Sequence, residues 1–215
     1  MSHCHLRATS WLAALLAVAA LPVVLLLVEP QRYSAPAWAF AMALGYGGIA
    51  FMGLQFLLTA RLRVIVAPLG LDALQQFHRY LAIAGFGLLT LHGAVAAWRQ
   101  PGLVGLYGEP PPPHVAAGLV AWLLYLALIL SSVFGRRLGF GYAAWRHLHV
   151  AGSVVAFGGG LWHAWASGRY VDTPAKQAVF VAAVAAWLLL LAWVRVLRPV
   201  LVARRVRRRA VHDRA

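Results

Sequence analysis

Acidic residues are scarce in this chain: 5 Asp and Glu stand against 19 Lys and Arg, and charged residues of both signs make up only 11% of the 215 residues. Hydrophobic residues make up 62%, which excludes an ordinary soluble domain and indicates an integral membrane protein. The net charge of +14 does not indicate nucleic-acid binding, because the basic residues are unevenly spread along the chain. The single cysteine, Cys4, excludes an internal disulfide.

Six apolar stretches are long enough to cross a bilayer, and the connections between them are short or turn-like. They lie near residues 11–28, 38–60, 76–98, 115–134, 147–168 and 176–197. The first has the position of a signal peptide, but no small-residue cleavage site follows it, so we interpret it as a span. The pattern predicts an all-α integral membrane protein in which residues 1–215 form one six-transmembrane-helix bundle, with a basic tail at 198–215.

The basic residues predict the orientation of these spans. Six spans put both termini on one side of the membrane, and that side holds 15 of the 19 Lys and Arg residues. The other side holds Arg32, Arg99, Arg169 and Lys176. Because basic loops stay in the cytoplasm, we expect both termini to be cytoplasmic, in a bacterial-type inner or plasma membrane. The third and fifth spans then both run outward.

Four histidines lie in the third and fifth spans, in two pairs with the same spacing. His78 and His92 are 14 residues apart, and so are His149 and His163. Fourteen residues are almost four helical turns, so the two histidines of a helix lie on one face, about 40° out of phase and roughly 21 Å apart. Because imidazoles are costly in hydrocarbon, these positions indicate a functional site.

The direction of the spans predicts which histidines meet. His78 and His149 lie near the inner face, and His92 and His163 lie near the outer face. Two helices that each carry two such side chains suit two stacked cofactors, and haem iron fits this arrangement best. We therefore expect two haems, with His78 and His149 on the iron of the inner haem and His92 and His163 on that of the outer haem.

Small and aromatic residues accompany the histidines. Small residues would let a flat macrocycle approach the backbone, with helix packing as the alternative. They are Gly85 and Ala156, each midway between the two histidines of its span, and Gly152, Gly159 and Gly160 in the fifth span. Phe86 and Phe157 each follow a midpoint. Their rings either shorten the gap between the two macrocycles or only fill space.

Four arginines flank the predicted ligands, and the planar guanidinium fork suits the carboxylates of haem propionates. Arg79 and Arg146 are placed for the inner haem, and Arg99 and Arg169 for the outer one. The alternative is that they are ordinary interfacial or topology-setting arginines. His147 points about 200° away from His149, so we expect it at the interface, with replacement of His149 as the ligand in a shifted helix as the alternative.

Two segments resemble the ferric reductase-like transmembrane domain family, which includes ferric reductases, NADPH oxidases and the membrane haem subunit of the periplasmic methionine sulfoxide reductase system. They are Phe77-His78-Arg79-Tyr80-Leu81 with His92, and Trp145-Arg146-His147-Leu148-His149 with Trp162-His163. The resemblance implies a six-helix bundle, b-type haems with bis-histidine ligation, and electron flow from the cytoplasmic side outward. By position, His78 and His149 are similar to the inner haem ligands of the family, and His92 and His163 to its outer ones.

Many members of that family continue into a flavin- and nicotinamide-binding domain. No glycine-rich dinucleotide fingerprint is present in this sequence. We therefore expect the flavin on a partner, a cytoplasmic flavoprotein or other reductant, unless the chain is the membrane part of a longer protein. The Arg204–Arg209 segment could dock an acidic partner or anionic membrane lipid, with a topology anchor as the alternative.

Together these features predict the membrane component of an oxidoreductase, which passes electrons from a cytoplasmic donor to an acceptor at the outer face. The acceptor could be ferric iron, oxygen or a periplasmic protein. A quinol-linked cytochrome b would share the same haem sites. A metal or proton transporter is the alternative from another class, but no Asp or Glu lies within a predicted span to support it.

Overall fold

The computed structural model describes residues 36–135, 137, 139 and 141–204, together with residues 10, 13, 14, 16, 17, 20, 21, 23 and 24. Most of the first predicted span, 11–28, lies outside the described residues, and so does the tail from residue 205 onward. Within the described part of the chain every regular element is helical and no strand occurs. The predicted all-helical fold class is therefore confirmed.

Three of the helices in the described chain begin at a proline, which suits the first helical turn because its missing N–H has no intrahelical partner there. The helices are α1 (Pro36–Thr59), α2 (Arg63–Leu69), α3 (Leu71–Arg99), α4 (Pro113–Phe134), α5 (Tyr142–Ser167) and α6 (Pro174–Ala192). A 3-10 turn at Pro101–Val104 follows α3, and a π-helical turn at Trp193–Leu197 prolongs α6. The continuous helical stretch that begins with α6 reaches Arg204.

The short helix α2 was not predicted from the sequence, because its apolar run is too short to cross a bilayer. Its Ile65 joins Leu54 of α1 and Leu74 of α3 in a buried cluster. Gly70, with a φ of +79°, makes the sharp change of direction from α2 into α3. This packing explains why α3 begins several residues before the predicted third span.

Four of the described helices are long and apolar enough to cross a membrane: α1, α3, α4, and α6 with its continuation to Arg204. The prediction of six spans is thus confirmed for four. Helix α5 has 26 residues, and at 1.5 Å per residue its length of about 39 Å is also sufficient. It carries three histidines and Arg146, and it is not among the four helices that are apolar enough to count as candidate spans.

Helices α1, α3, α4 and α5 form a bundle made of two closely packed helix pairs. Helix α1 packs along α3, and α4 packs along α5. Smaller contacts join α1 to α5 and α3 to α4, while α6 packs on α1. Among these fully described helices, α3 and α5 make no extensive backbone contact, so they face each other diagonally across the bundle.

Glycines bring α1 and α3 into close contact. A Cβ on Gly48 would lie 2.7 Å from Leu89 Cδ2 and 3.1 Å from the carbonyl oxygen of Gly85. A Cβ on Gly85 would in turn lie 3.0 Å from Phe51 Cβ. Because neither position has space for a methyl group, the absent side chains set the separation of the two helices.

Replacing Gly48 by Ala should push α1 and α3 apart, because the new methyl group collides with Leu89. We expect overpacking to lower the stability by about 1–3 kcal/mol, measured as a lower melting temperature of the purified protein in detergent. Gly47→Ala is the matched control, since among the described residues a Cβ there would come within 4 Å of Leu88 Cδ1 alone, at 3.7 Å. Equal melting temperatures for the two variants would contradict the close contact.

Candidate functional site

The structure brings the four histidines together in two pairs on the diagonal between α3 and α5. The ring centroids of His78 and His149 are 6.5 Å apart, with 62° between the ring planes. Those of His92 and His163 are 6.1 Å apart, with 72° between the planes. These are the 78–149 pair and the 92–163 pair, and they are the pairs that the span directions predict.

The separation within each pair leaves room for one metal ion between the imidazoles. With metal–nitrogen bonds of about 2.0 Å and each nitrogen roughly 1.15 Å from its ring centroid, two rings on opposite sides of one ion have centroids about 6.3 Å apart. The observed 6.5 and 6.1 Å lie on either side of that value. Each pair could supply two ligands, a number that suits a metal that brings its remaining ligands with it, as haem iron does.

Main-chain carbonyls bond the rings of the 92–163 pair. His92 Nδ1 lies 2.7 Å from the Ala41 carbonyl oxygen on α1, and His163 Nδ1 lies 2.7 Å from the His114 carbonyl oxygen on α4. Because a carbonyl only accepts hydrogen bonds, each Nδ1 carries the proton and donates it. Nε2 of each neutral ring is then unprotonated, which is the form that binds a metal.

The 78–149 pair has weaker support. His149 Nδ1 lies 3.4 Å from Ser132 Oγ, whose own hydrogen is donated to the Leu128 carbonyl at 2.7 Å. His78 Nδ1 is buried and has no partner among the described residues. The Trp145 ring packs against the His149 ring at a centroid distance of 5.0 Å. The two pairs therefore differ in how firmly the protein orients their rings.

An apolar layer separates the two pairs. Gly85 and Ala156, at the midpoints of their helices, are buried, and so are Met52 and Tyr125. Met52, Tyr125 and Ala156 belong to one buried cluster, and Met52 Cε lies 3.4 Å from the point where a Cβ on Gly85 would stand. Both midpoint residues therefore lie against neighbouring helices, which favours the helix-packing alternative drawn from the sequence.

The glycines of α5 also lie close to neighbouring helices. A Cβ on Gly152 would lie 3.1 Å from a leucine side chain of α4, and one on Gly159 would lie 3.5 Å from Ala121 Cβ of the same helix. A Cβ on Gly160 would lie 3.9 Å from an isoleucine side chain of α1. Of the two interpretations drawn from the sequence, the contacts favour the second.

The two midpoint phenylalanines pack between helices. Phe86 stacks on Trp122 of α4 with a centroid distance of 5.6 Å. Phe157 lies 5.4 Å from Phe56 of α1 and 4.7 Å from Trp187 of α6. These contacts favour the space-filling role of both rings.

The arginines predicted as propionate partners are all exposed: Arg79, Arg146, Arg99 and Arg169. The Arg169 guanidinium lies 5.0 Å from the centre of the Trp38 ring, and the Arg99 guanidinium lies 5.8 Å from that of Trp98. Exposure is compatible with either predicted role, so propionate binding stays a prediction.

Two further histidines have defined positions. His147 is exposed, and its Nδ1 lies 2.8 Å from the Ala143 carbonyl of its own helix, away from the pairs. The His114 ring, to which the sequence assigned no role, stacks on the His163 ring at 6.1 Å. A carbonyl partner carries no side-chain signature, so His114 was missed. The sequence signal that could have found it is a shared spacing: His114 precedes Gly118 by four residues, as Ala41 precedes Gly45.

The comparison with known families agrees with this geometry. Residues 44–160 match the model of the ferric reductase like transmembrane component, which is more than half of the 215 residues. The chain belongs to this family. The searches of curated proteins and of solved structures found no match.

The matched segment of this ferric reductase-like component runs from α1 into α5. It includes His78, His92 and His149 and ends three residues before His163. The family and the four apolar helices together make the chain an integral membrane protein and indicate a membrane electron-transfer component.

One side-chain hydrogen bond joins the two helix pairs beside the site. Trp122 Nε1 on α4 donates to Thr90 Oγ1 on α3 at 2.9 Å, and Thr90 Oγ1 donates to the Phe86 carbonyl at 2.8 Å. Because Phe86 also stacks on Trp122, this contact holds α3 against α4 and helps to fix the diagonal between the histidine helices.

A double-mutant cycle tests this contact. Trp122→Phe and Thr90→Val each remove the hydrogen bond, so their effects should not add. We expect a coupling free energy of about 0.6 kcal/mol, the average for hydrogen bonds between membrane helices, from unfolding of the two single variants and the double variant in detergent. Strictly additive effects would show that the two side chains do not interact.

Proposed function

We propose that this ferric reductase-like component is a di-haem electron-transfer protein of the membrane. His78 and His149 would hold the iron of one b-type haem, and His92 and His163 that of the other. The observation that supports the proposal is the pair geometry: imidazole centroids 6.5 and 6.1 Å apart, with one ring of each pair on α3 and the other on α5. Haem iron with two histidine ligands supplies reversible one-electron transfer and has no open coordination position.

The protein keeps the imidazoles of the 92–163 pair ready for this role. Donation from Nδ1 to the carbonyls of Ala41 and His114 leaves Nε2 available to iron. A hydrogen bond of this kind fixes the ring orientation and raises the basicity of the ligand nitrogen. Neutral rings are also the form that an apolar bundle tolerates.

The surroundings of the pairs suit electron transfer rather than substrate chemistry. The layer of Gly85, Ala156, Met52 and Tyr125 between the pairs carries no formal charge and is buried. Such a layer excludes water, and burial and dielectric are levers by which a protein sets a haem potential. At the ends of the bundle, Arg79 and Arg146 remain candidates for the propionates of one haem, and Arg99 and Arg169 for those of the other.

The proposed direction of electron flow is from the 78–149 pair to the 92–163 pair. In a six-span topology with cytoplasmic termini, 15 of the 19 Lys and Arg residues lie on the side of the 78–149 pair. Arg198 of that side donates to the Ala60 carbonyl at 2.8 Å and fastens the helical stretch that begins with α6 to the end of α1. A cytoplasmic flavin or flavoprotein would be the donor, and the acceptor would lie at the outer face.

Single histidine variants test the assignment. His92→Ala and His163→Ala should each lower the haem content of the purified protein from two to one per chain, because one axial ligand is lost. His78→Ala and His149→Ala should each remove the other haem. The measurement is haem per protein by pyridine haemochrome, with a redox titration to identify which haem remains.

His147→Ala is the matched control, because His147 lies on α5 beside His149 but is exposed and bonded to its own helix. It should retain both haems with unchanged potentials. If a His92 or His163 variant kept both haems, or if His147→Ala lost one, the proposed ligand set would be refuted.

A further inference from the structure

We propose that Gly45 and Gly118 are positioning residues for the haem of the 92–163 pair. Because each has no side chain, the ligand imidazole can lie against the helix and donate a hydrogen bond to the carbonyl one turn earlier. This inference rests on the proposed function. It assigns a role to two residues that are not themselves ligands.

The first close contact between a glycine and an imidazole is on α1. A Cβ on Gly45 would lie 2.9 Å from His92 Nδ1, 3.0 Å from its Cε1 and 3.1 Å from its Cγ. All three atoms belong to the ring, so the imidazole lies against the helix backbone itself. Any residue other than glycine would have to push the ring away from the Ala41 carbonyl that accepts its hydrogen bond.

The second close contact, on α4, has the same geometry as the first. A Cβ on Gly118 would lie 2.9 Å from His163 Nδ1, 3.0 Å from its Cγ and 3.2 Å from its Cε1. The acceptor is again the carbonyl four residues earlier, that of His114. The same arrangement thus occurs once in each helix pair, with nearly the same distances.

Helix geometry explains why the glycine must stand four residues after the carbonyl. In an α-helix the C=O of residue i accepts the N–H of residue i+4, and the Cβ of residue i+4 flanks that carbonyl. A carbonyl has a second lone pair, which can accept a further donor from the side. Only a glycine at i+4 leaves that side open to an imidazole.

The 78–149 pair has hydroxyl residues where the other pair has glycines. Thr59 and Ser132 stand 14 residues after Gly45 and Gly118, which is the spacing of the histidines themselves. Each hydroxyl donates to the carbonyl four residues earlier, at 2.9 Å for Thr59 and 2.7 Å for Ser132. The helix carbonyl is therefore taken by a side chain, and His149 meets the Ser132 oxygen instead, at 3.4 Å.

The test compares Gly45→Ala and Gly118→Ala with Gly47→Ala and Gly93→Ala in the full chain. In the part of the chain that the structure describes, a Cβ at Gly47 would meet one leucine methyl, at 3.7 Å, and a Cβ at Gly93 would meet nothing within 4 Å. The readouts are haem per chain, the two midpoint potentials, and the low-spin electron paramagnetic resonance signal, which depends on the angle between the two imidazole planes.

We expect Gly45→Ala and Gly118→Ala to alter one haem only, with a loss of about 10–100-fold in its affinity, the usual effect of removing an outer-shell partner. The potential and resonance signal of that haem should move, while the other haem keeps its values and so reports an intact fold. Both control variants should match the wild type.

A second variant keeps the proposal falsifiable if the alanine variants do not fold. Ser132→Ala should move the signal of the other haem and leave that of the 92–163 pair unchanged. If the wild type holds two haems while Gly45→Ala and Gly118→Ala change the potentials and signals of both haems equally, or of neither, the glycine proposal is overturned and the proposed function stands. A wild type without haem would instead refute the proposed function.

Discussion

Four imidazoles inside an apolar helix bundle are the constraint on which the rest of the structure depends. Each ring has two nitrogens, and neither lipid nor an aliphatic side chain can hydrogen-bond them. In the 92–163 pair one nitrogen of each ring is bonded by a helix carbonyl, and the other is left for a partner in the middle of the bundle. A helix backbone must therefore come within hydrogen-bond distance of each ring of the 92–163 pair.

The arrangement of the helices follows from this need. Helix α1 lies along α3 and α4 lies along α5, so each histidine helix has a neighbour that presents carbonyls to it. The histidine helices then face each other across the diagonal. Each histidine pair takes one ring from each helix pair. The remaining contacts keep this diagonal at a fixed width: Trp122 with Thr90 between α4 and α3, and Phe157 against Gly53 between α5 and α1.

Much of this was predictable because it depends on local pattern. Apolar runs marked α1, α3, α4 and α6, and the repeated spacing of 14 residues placed the histidines on one face of each helix. The partners of His92 and His163 were not predictable, since they are carbonyls 51 and 49 residues away and any residue type can supply a carbonyl. The sequence showed that Gly85 and Ala156 are small, but not that Met52 and Tyr125 pack beside them.

The central claim is that the two imidazole pairs are axial ligand sets for iron porphyrins. Its most direct measurement is the absorbance spectrum of the purified full chain from haem-replete cells, oxidised and then reduced with dithionite, together with the haem-to-protein ratio. The account predicts two low-spin b-type haems per chain with both axial positions filled by histidine. A colourless protein, or a high-spin haem that binds carbon monoxide readily, would contradict it.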